Sequence, residues 1–322
     1  MDVTIEIISA QVDDLNLAAI AELYRRVWPN GSPRREQKAR WAFAGNSLGR
    51  APLLLAVNEN GAVLGVRGGM PWSIDLGDGV PRRGVQLHGT AVDTSIRRQG
   101  VFSNMTRVFV ESCREDNVPL IFNVSAPESR AGYERLGWTY TDSLRSMFLP
   151  IRPVRVARQL AGQSLRPRVP TRAFSEPPSS YRSVVGLMAG RERSLSGLMH
   201  TSYTPEFYAW RFSSEDYRWL GNPECGYIVY KMLNRGNLLE MLIGDVWPGN
   251  KTVAKLVLRA IKRERPDLVT SWTTVDHPLY RPLRRFGFLV QPGRSLNLGI
   301  RRIDEELPTL AYGLMAADID TF

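Results

Sequence analysis

Residues Leu87 to Val110, LHGTAVDTSIRRQGVFSNMTRVFV, constrain the fold more than any other stretch of the chain. An apolar strand over Leu87–Val92 enters a polar loop from Asp93 to Gly100, and an amphipathic helix begins near Ser103. A strand that feeds a Gly-containing loop at a helix N-terminus builds an anion cradle. The first-turn amides lack intrahelical partners, and the positive end of the helix dipole faces the loop. The loop reads Arg97-Arg98-Gln99-Gly100-Val101-Phe102, so side-chain charge adds to that backbone field.

The flanking sequence supplies a sheet for this unit. Thr4–Ile8 alternates as a strand, and Asp13 or Asp14 caps a helix carrying Leu15, Ala18, Ile20, Leu23 and Val27. A basic helix over Arg34–Phe43 follows, then strands at Pro52–Val57 and Val63–Ile74 around an Asn60-Gly61 turn. The cradle helix places Met105, Val108, Phe109 and Ser112 on one face and runs to Glu115. A strand at Pro119–Val124, a helix between Pro127 and Gly137, and a strand at Ser143–Leu149 complete a first half. Arg- and Pro-rich sequence from 150 to 182 reads as one short helix and a linker. The same succession then recurs: strands Tyr227–Met232 and Leu238–Val246, a helix over Thr252–Arg263, a strand at Leu268–Thr273, the segment Tyr280–Phe288, and a strand at Arg294–Ile300. Repetition at about half the chain length predicts two copies of one fold. The expected domains are 1–150, a linker at 151–182, and 183–322.

The order Arg97-x-x-Gly100-x-Phe102 behind a strand, with Tyr133, Gly137 and Trp138 closing a later helix, resembles the GCN5-related N-acetyltransferases (GNATs). The resemblance implies an α/β (α+β) fold class: two GNAT-like domains in tandem, each a mostly antiparallel mixed sheet flanked by helices. It implies acetyl-CoA or another acyl-CoA as co-substrate. Arg97 and the amides of Arg98, Gly100, Phe102 and Ser103 would hold the pyrophosphate, and the amides of Thr90 and Val92 the pantetheine arm and thioester oxygen. Phe102 departs from the family's Gly or Ala, a departure tolerated if the ring turns into the core. Tyr133 would be the general acid that protonates the departing thiolate, although Ala126 stands where an Asn is usual. The second copy has no Arg-x-x-Gly spacing between Asp245 and Lys251, and Pro248 removes an amide donor there, so one acyl-CoA per chain is expected.

His88 lies two residues before Thr90, and alternation predicts a shared strand face. The stretch QLHGTAVDTSIRRQG resembles the corresponding strand of arylalkylamine N-acetyltransferases, where histidines relay protons from the amine. His88 is therefore a candidate base or a satisfied core histidine, and Gln86 a candidate to orient it or the substrate. His200 and His277 have no metal-ligand spacing, and no metal is expected. Asp318 and Asp320 read as tail residues or substrate contacts. TPEFYAWRF (Thr204–Phe212) and the terminal AADIDTF resemble segments of tandem GNATs of amino-sugar and polysaccharide biosynthesis. Trp210 and Arg211 are thereby candidate substrate contacts, with core aromatics as the plainer reading.

A net charge of +10, from 42 Lys and Arg against 32 Asp and Glu, favours anionic partners without choosing among them. The expected acceptor is a small-molecule amine, an amino sugar first, nucleotide-linked or free. An antibiotic, peptide or amino acid is the alternative. A Fem-like aminoacyl transfer fits poorly with an intact cradle, and a non-catalytic CoA-binding module fits poorly with His88 and Tyr133. Nucleic acid and membrane partners are not expected. Two cysteines, Cys113 and Cys225, suggest no disulfide framework. With no basic segment ahead of an apolar run at the N-terminus, and no window near 18 apolar residues, a cytoplasmic protein is expected.

Overall fold

Periodicity accounts for most elements of the computed structural model, which describes residues 4–29, 35–125, 127–140, 144–168, 170, 190–213, 216–222, 226–247, 251–307 and 311–319. In chain order the first are β1 (Ile5–Ser9), α1 (Asp14–Val27), α2 (Arg35–Phe43), β2 (Leu53–Asn58), β3 (Val63–Asp75) and β4 (Pro81–Val92). Then come α3 (Val101–Glu115), β5 (Leu120–Val124), α4 (Pro127–Glu134), β6 (Thr139–Tyr140), β7 (Leu144–Pro150) and α5 (Pro153–Leu160). The remainder is β8 (Leu198–Thr201), α6 (Pro205–Arg211), β9 (Tyr217–Asn222), β10 (Gly226–Arg235), β11 (Leu238–Trp247), α7 (Lys251–Glu264), β12 (Leu268–Thr273), α8 (Tyr280–Phe286), β13 (Leu289–Leu296), β14 (Leu298–Arg302) and β15 (Ala311–Tyr312). Asp13 caps α1 by accepting from the Asn16 amide at 2.8 Å. Leu15 and Val108, counted in apolar stripes above, are exposed. In α3 the buried row is Val101, Met105, Phe109 and Cys113, one residue every four, packed with Leu54, Val85 and Leu87 of the strands. No described helix is long and apolar enough to cross a membrane.

The chain forms two units, one of residues 1–73, 82–141 and 298–308, the other of 74–81, 142–297 and 309–322. The first sheet has the order β1-β2-β3-β4-β5-β14-β6, with β8 and β15 attached off this path; the second runs β13-β7-β12-β11-β10-β9. These orders correct the expectation that Ser143–Leu149 completes the first half. β7 pairs antiparallel with β12 and β13, while β14, from near the end of the chain, pairs with β5 and β6. Each repeat thus receives its late strand from the other half of the sequence, so the expected boundary at 150 falls at 141. Only Asn297 separates β13 from β14. One residue is too short for a hairpin, so the chain continues forward and leaves one sheet for the other.

The second unit packs β10, β11 and β12 against α7 and α8 around Ile228, Met241, Ile243, Val257, Val269 and Leu283. Its Asp267, fully buried, draws in Arg155 and Arg168 at 3.2 and 3.0 Å and accepts the Leu239 amide, which ties the start of β12 to α5 and the residues after it.

The strand pair that defines the first unit is β4–β5. Its parallel ladder holds Val85 to Ile121 and Gln86 to Phe122, and no further. Beyond Gln86 the two strands diverge. The equivalent ladder in the second unit, β11–β12, runs from Glu240–Leu268 to Ile243–Ser271. There the space beyond is taken by the C-terminal segment. Met315 bridges Thr273, and Thr274 N donates to Leu314 O at 3.0 Å.

Gly89, within the diverging part of β4, has φ +63°, a left-handed conformation that interrupts the alternation of side chains. A Cβ at this position would also run into the Tyr24 hydroxyl, which donates to Gly89 O at 2.7 Å. Gly89→Ala is expected to lower unfolding stability by about 2 kcal/mol, from left-handed backbone cost plus this clash. Tyr24→Phe withdraws the obstructing hydroxyl and should recover part of the loss, as urea denaturation of the single and double variants will show.

Candidate active site

The cradle is built by two left-handed residues. Arg98 has φ +65° and Gly100 φ +79°, and Gly100 caps α3 without any side-chain hydrogen bond. The first helical bond runs from Asn104 N to Gly100 O at 2.9 Å, so the amides ahead of Asn104 open toward the loop. α3 begins at Val101, two residues earlier than the sequence predicts. Arg97 folds back, its Nε donating to Val92 O at 3.1 Å. Just past β4, Asp93 N donates to Leu64 O of β3 at 2.8 Å. Amides alternate sides along a strand, so those of Val92 and Thr90 face the edge from which β5 has withdrawn. Phe102 turns away from the loop: its ring meets Tyr133 edge-on at 5.1 Å and lies 4.8 Å from the Arg67 guanidinium. The side chain in place of the family's small residue is thus directed into the interior.

Arg67 on β3 matches no motif, yet it gathers the site. It is fully buried. Its Nη1 donates to Thr90 Oγ1 at 3.0 Å and to Tyr133 Oη at 2.7 Å, and its Nη2 donates to Thr106 Oγ1. The Thr106 hydroxyl in turn donates to Phe102 O at 2.6 Å. Nε is buried with no partner, and among the described residues no carboxylate pairs with this guanidinium. Thr90 and Tyr133, singled out separately in the sequence, are therefore brought onto one cation. The only signal was an Arg at a central position of an otherwise apolar, Gly-rich strand.

Gln86 and His88 lie elsewhere. The left-handed Gly89 breaks the predicted sharing of a face between His88 and Thr90. His88 is buried, with Phe43 edge-on at 5.7 Å and Trp41 at 6.5 Å, both at α2. Gln86 is fully buried at the last rung before the divergence, and both its amide nitrogen and oxygen lack hydrogen-bond partners. A buried carboxamide in that state carries an unmet demand worth about 1–3 kcal/mol per group. Ser103 is half-buried on the first turn of α3.

In the second unit Trp210 and Arg211 are buried, in keeping with the plainer reading of this segment as core. Arg211 is fully buried and donates to Ala317 O at 2.9 Å, Ile319 O at 2.8 Å and Tyr217 Oη at 2.6 Å. It clasps the C-terminal segment, and Trp210 packs on Phe207 beneath it. Arg218 pairs with buried Glu264. Asp318 is no loose tail residue: it accepts from Tyr203 Oη at 3.0 Å and Met315 N at 2.6 Å, with Arg191 at 3.6 Å. Asp320, Ala126, Cys225 and Pro248 lie outside the described residues. Burial works to lower the Arg191 pKa, but Asp245 and Asp318 outweigh it and hold the guanidinium charged; burial pushes the Asp245 carboxyl up. Asp75, Glu192 and His200 place one ligand atom each within 4.8 Å of one another, a cluster with no signal in the spacing. His200 Nε2 is already 2.6 Å from Glu192 Oε2, and its Nδ1 donates to Leu198 O.

Residues 9–141 match the family model of the acetyltransferase (GNAT) domain. No curated protein matches the chain. Among solved structures, a GCN5-related N-acetyltransferase from Kribbella flavida aligns over 93% of this chain and 72% of its own, with TM-score 0.64 and 16% identity. Eis1 from Mycobacterium abscessus aligns over 94% and 74%, with TM-score 0.58 and 15% identity. The Saccharomyces cerevisiae N-myristoyltransferase with bound myristoyl-CoA aligns over 92% and 82%, with TM-score 0.59 and 11% identity. The GNAT-domain match thus falls within the first half of the chain, and the fold shared with these structures extends over both units. That fold supports acyl transfer to an amine.

His277 gives the second unit a pH response. Its Nδ1 accepts the Leu279 amide at 3.1 Å ahead of α8, and its Nε2 is buried without a partner. Burial, with Arg191 and His200 nearby, pushes the imidazole well below its ordinary 6.5. The folded protein holds it neutral while the unfolded chain protonates it, so stability is full above about pH 6.5 and declines as pH falls below that value, at up to roughly 1.4 kcal/mol per pH unit. Urea midpoints between pH 7.5 and 5 should show this decline, and His277→Asn, which keeps an acceptor for the Leu279 amide, should flatten it.

Proposed function

We propose that this protein is an acyl-CoA-dependent N-acyltransferase that moves an acetyl or other acyl group to the primary amine of a small molecule. The observation that carries the reading is the β4–β5 ladder that ends at Gln86 and opens onto two left-handed residues and the unsatisfied first turn of α3. Acyl-CoA supplies the activated thioester. In this reading the amides of Arg98, Gly100, Phe102 and Ser103 receive the pyrophosphate, with Arg97 adding charge at the loop. Thr90 and Val92 amides receive the pantetheine arm and the thioester oxygen, where negative charge develops. Tyr133 gives its proton to the leaving sulfur: its oxygen accepts from Arg67, and among the described residues it donates to nothing.

The acceptor reading rests on the other face of β4. Gln86 offers a carboxamide whose two unpartnered atoms suit an amine or hydroxyl, and His88 beside it is the proposed proton acceptor. An amino sugar, free or nucleotide-linked, is the acceptor class placed first, since it combines a primary amine with hydroxyls and, in the nucleotide form, an anion suited to a chain of charge +10. The second unit is proposed to serve as a structural partner, because the space equivalent to the donor site is filled by residues 311–319.

A thermal-shift screen crossing acyl-CoAs of several chain lengths with amino sugars, nucleotide sugars and simple amines tests donor and acceptor together, since ligands bound by the native state raise the melting temperature. Stabilisation by acetyl-CoA and thiol release dependent on an amino sugar are expected. Failure of every acyl-CoA to bind would overturn the reading. Arg97→Ala should weaken acetyl-CoA binding with little effect on melting temperature. Tyr133→Phe should retain binding and lose about 10- to 1000-fold in turnover.

A further inference from the structure

We propose that Arg67 is a positioning residue for acyl transfer: it aims the Tyr133 hydroxyl at the departing sulfur and balances the charge that Tyr133 acquires when it gives up its proton. This rests on the general-acid reading of Tyr133.

A charge with no solvent contact is costly unless it is paired and hydrogen-bonded. Arg67 is fully buried, and its hydrogen-bond partners among the described residues are three neutral hydroxyls: Thr90 at 3.0 Å, Tyr133 at 2.7 Å, and Thr106. The rings of Phe102 and Tyr133, 4.8 and 5.3 Å away, supply π faces that ease the burden without neutralising it. A structural brace between β3, β4, α3 and α4 needs hydrogen bonds, which an amide would supply without a permanent charge. The guanidinium is explained by an anion that is absent between turnovers and present during them.

The reaction creates one at the right atom. As the amine nitrogen bonds to the acyl carbon, the C–S bond breaks and its electron pair stays on sulfur. The Tyr133 proton passes to sulfur, leaving a phenolate 2.7 Å from Arg67 Nη1. The proton released by the nitrogen goes to the base and then to solvent, and solvent returns a proton to Tyr133. Until that proton returns, Arg67 and the phenolate form a neutral buried pair, and a charge-assisted hydrogen bond gains strength from burial. Because Tyr133 accepts from Arg67, its own hydrogen is turned outward from the guanidinium. The Arg67 donor that reaches Thr90 holds in place the strand whose amide faces the thioester.

The test is a double-mutant cycle of Arg67→Met and Tyr133→Phe on the full chain. It reads thiol release from acetyl-CoA, with water and with the amine selected by the screen as acceptors, and acetyl-CoA affinity by titration calorimetry. Expected is an Arg67→Met loss of about 100-fold in kcat, with acetyl-CoA affinity changed less than about threefold, and a further loss of less than about threefold when Tyr133 is already Phe. Arg67→Lys, which keeps charge at the same depth, should recover part of kcat and serves if Arg67→Met melts early. Equal losses in both backgrounds, or a loss confined to acetyl-CoA affinity, would overturn the proposal and leave Arg67 a brace. Full activity in Tyr133→Phe would remove the general-acid reading itself and this proposal with it.

Discussion

The parallel contact between β4 and β5 governs what the first unit can do. Two rungs hold the strands together, and then they part. Backbone groups at a sheet interior ordinarily satisfy one another, so a parting strand leaves donors for solvent or a ligand to meet. The same strand then enters a loop with two left-handed residues and a helix start with no capping side chain. The parted strand and the uncapped helix start thus lie at the two ends of one loop, whose own first amides are taken up by Asp93 and Thr94. Gly89 allows this by interrupting the pleat with a conformation other residues adopt at a cost, which turns Thr90 toward Arg67 while Gln86 and His88 keep the opposite face.

The second unit shows the alternative fate of the same geometry. Its parallel ladder also ends early, but Thr273 and Thr274 receive Met315 and Leu314, and the gap is closed by the chain's own backbone. Arg211 clasps Ala317 and Ile319, while Asp318 sits among Tyr203 and Arg191. Residues that resemble substrate contacts when read along the sequence are consumed in holding this plug. A buried ion network of this kind is costly to desolvate, and once formed it is costly to break, which suits a segment that must stay in one place.

Much of the proposed donor site was legible because it is local. Arg97 to Ser103 are consecutive, and the strand before and helix after them declare themselves by periodicity. Tyr133 was legible through its spacing to Gly137 and Trp138. Arg67 was not, because an Arg within β3 differs in no local way from a solvent-facing one until α3, α4 and β4 converge on it. The predicted pairing of His88 with Thr90 failed for a local reason that alternation rules ignore: a single glycine with positive φ between them.

The sequence by itself determined the order of elements, their duplication, and the composition of the loop from Arg97 to Phe102. These depend on propensity and period over a dozen residues or fewer. Only the tertiary structure decided which sheet β7 and β14 join, since a buried strand with the same apolar pattern fits either until register and neighbours select one. It alone brought Arg67 to Tyr133, 66 positions apart in the chain, and set the C-terminal segment against β12. Those contacts join residues far apart in sequence, and no periodicity records them.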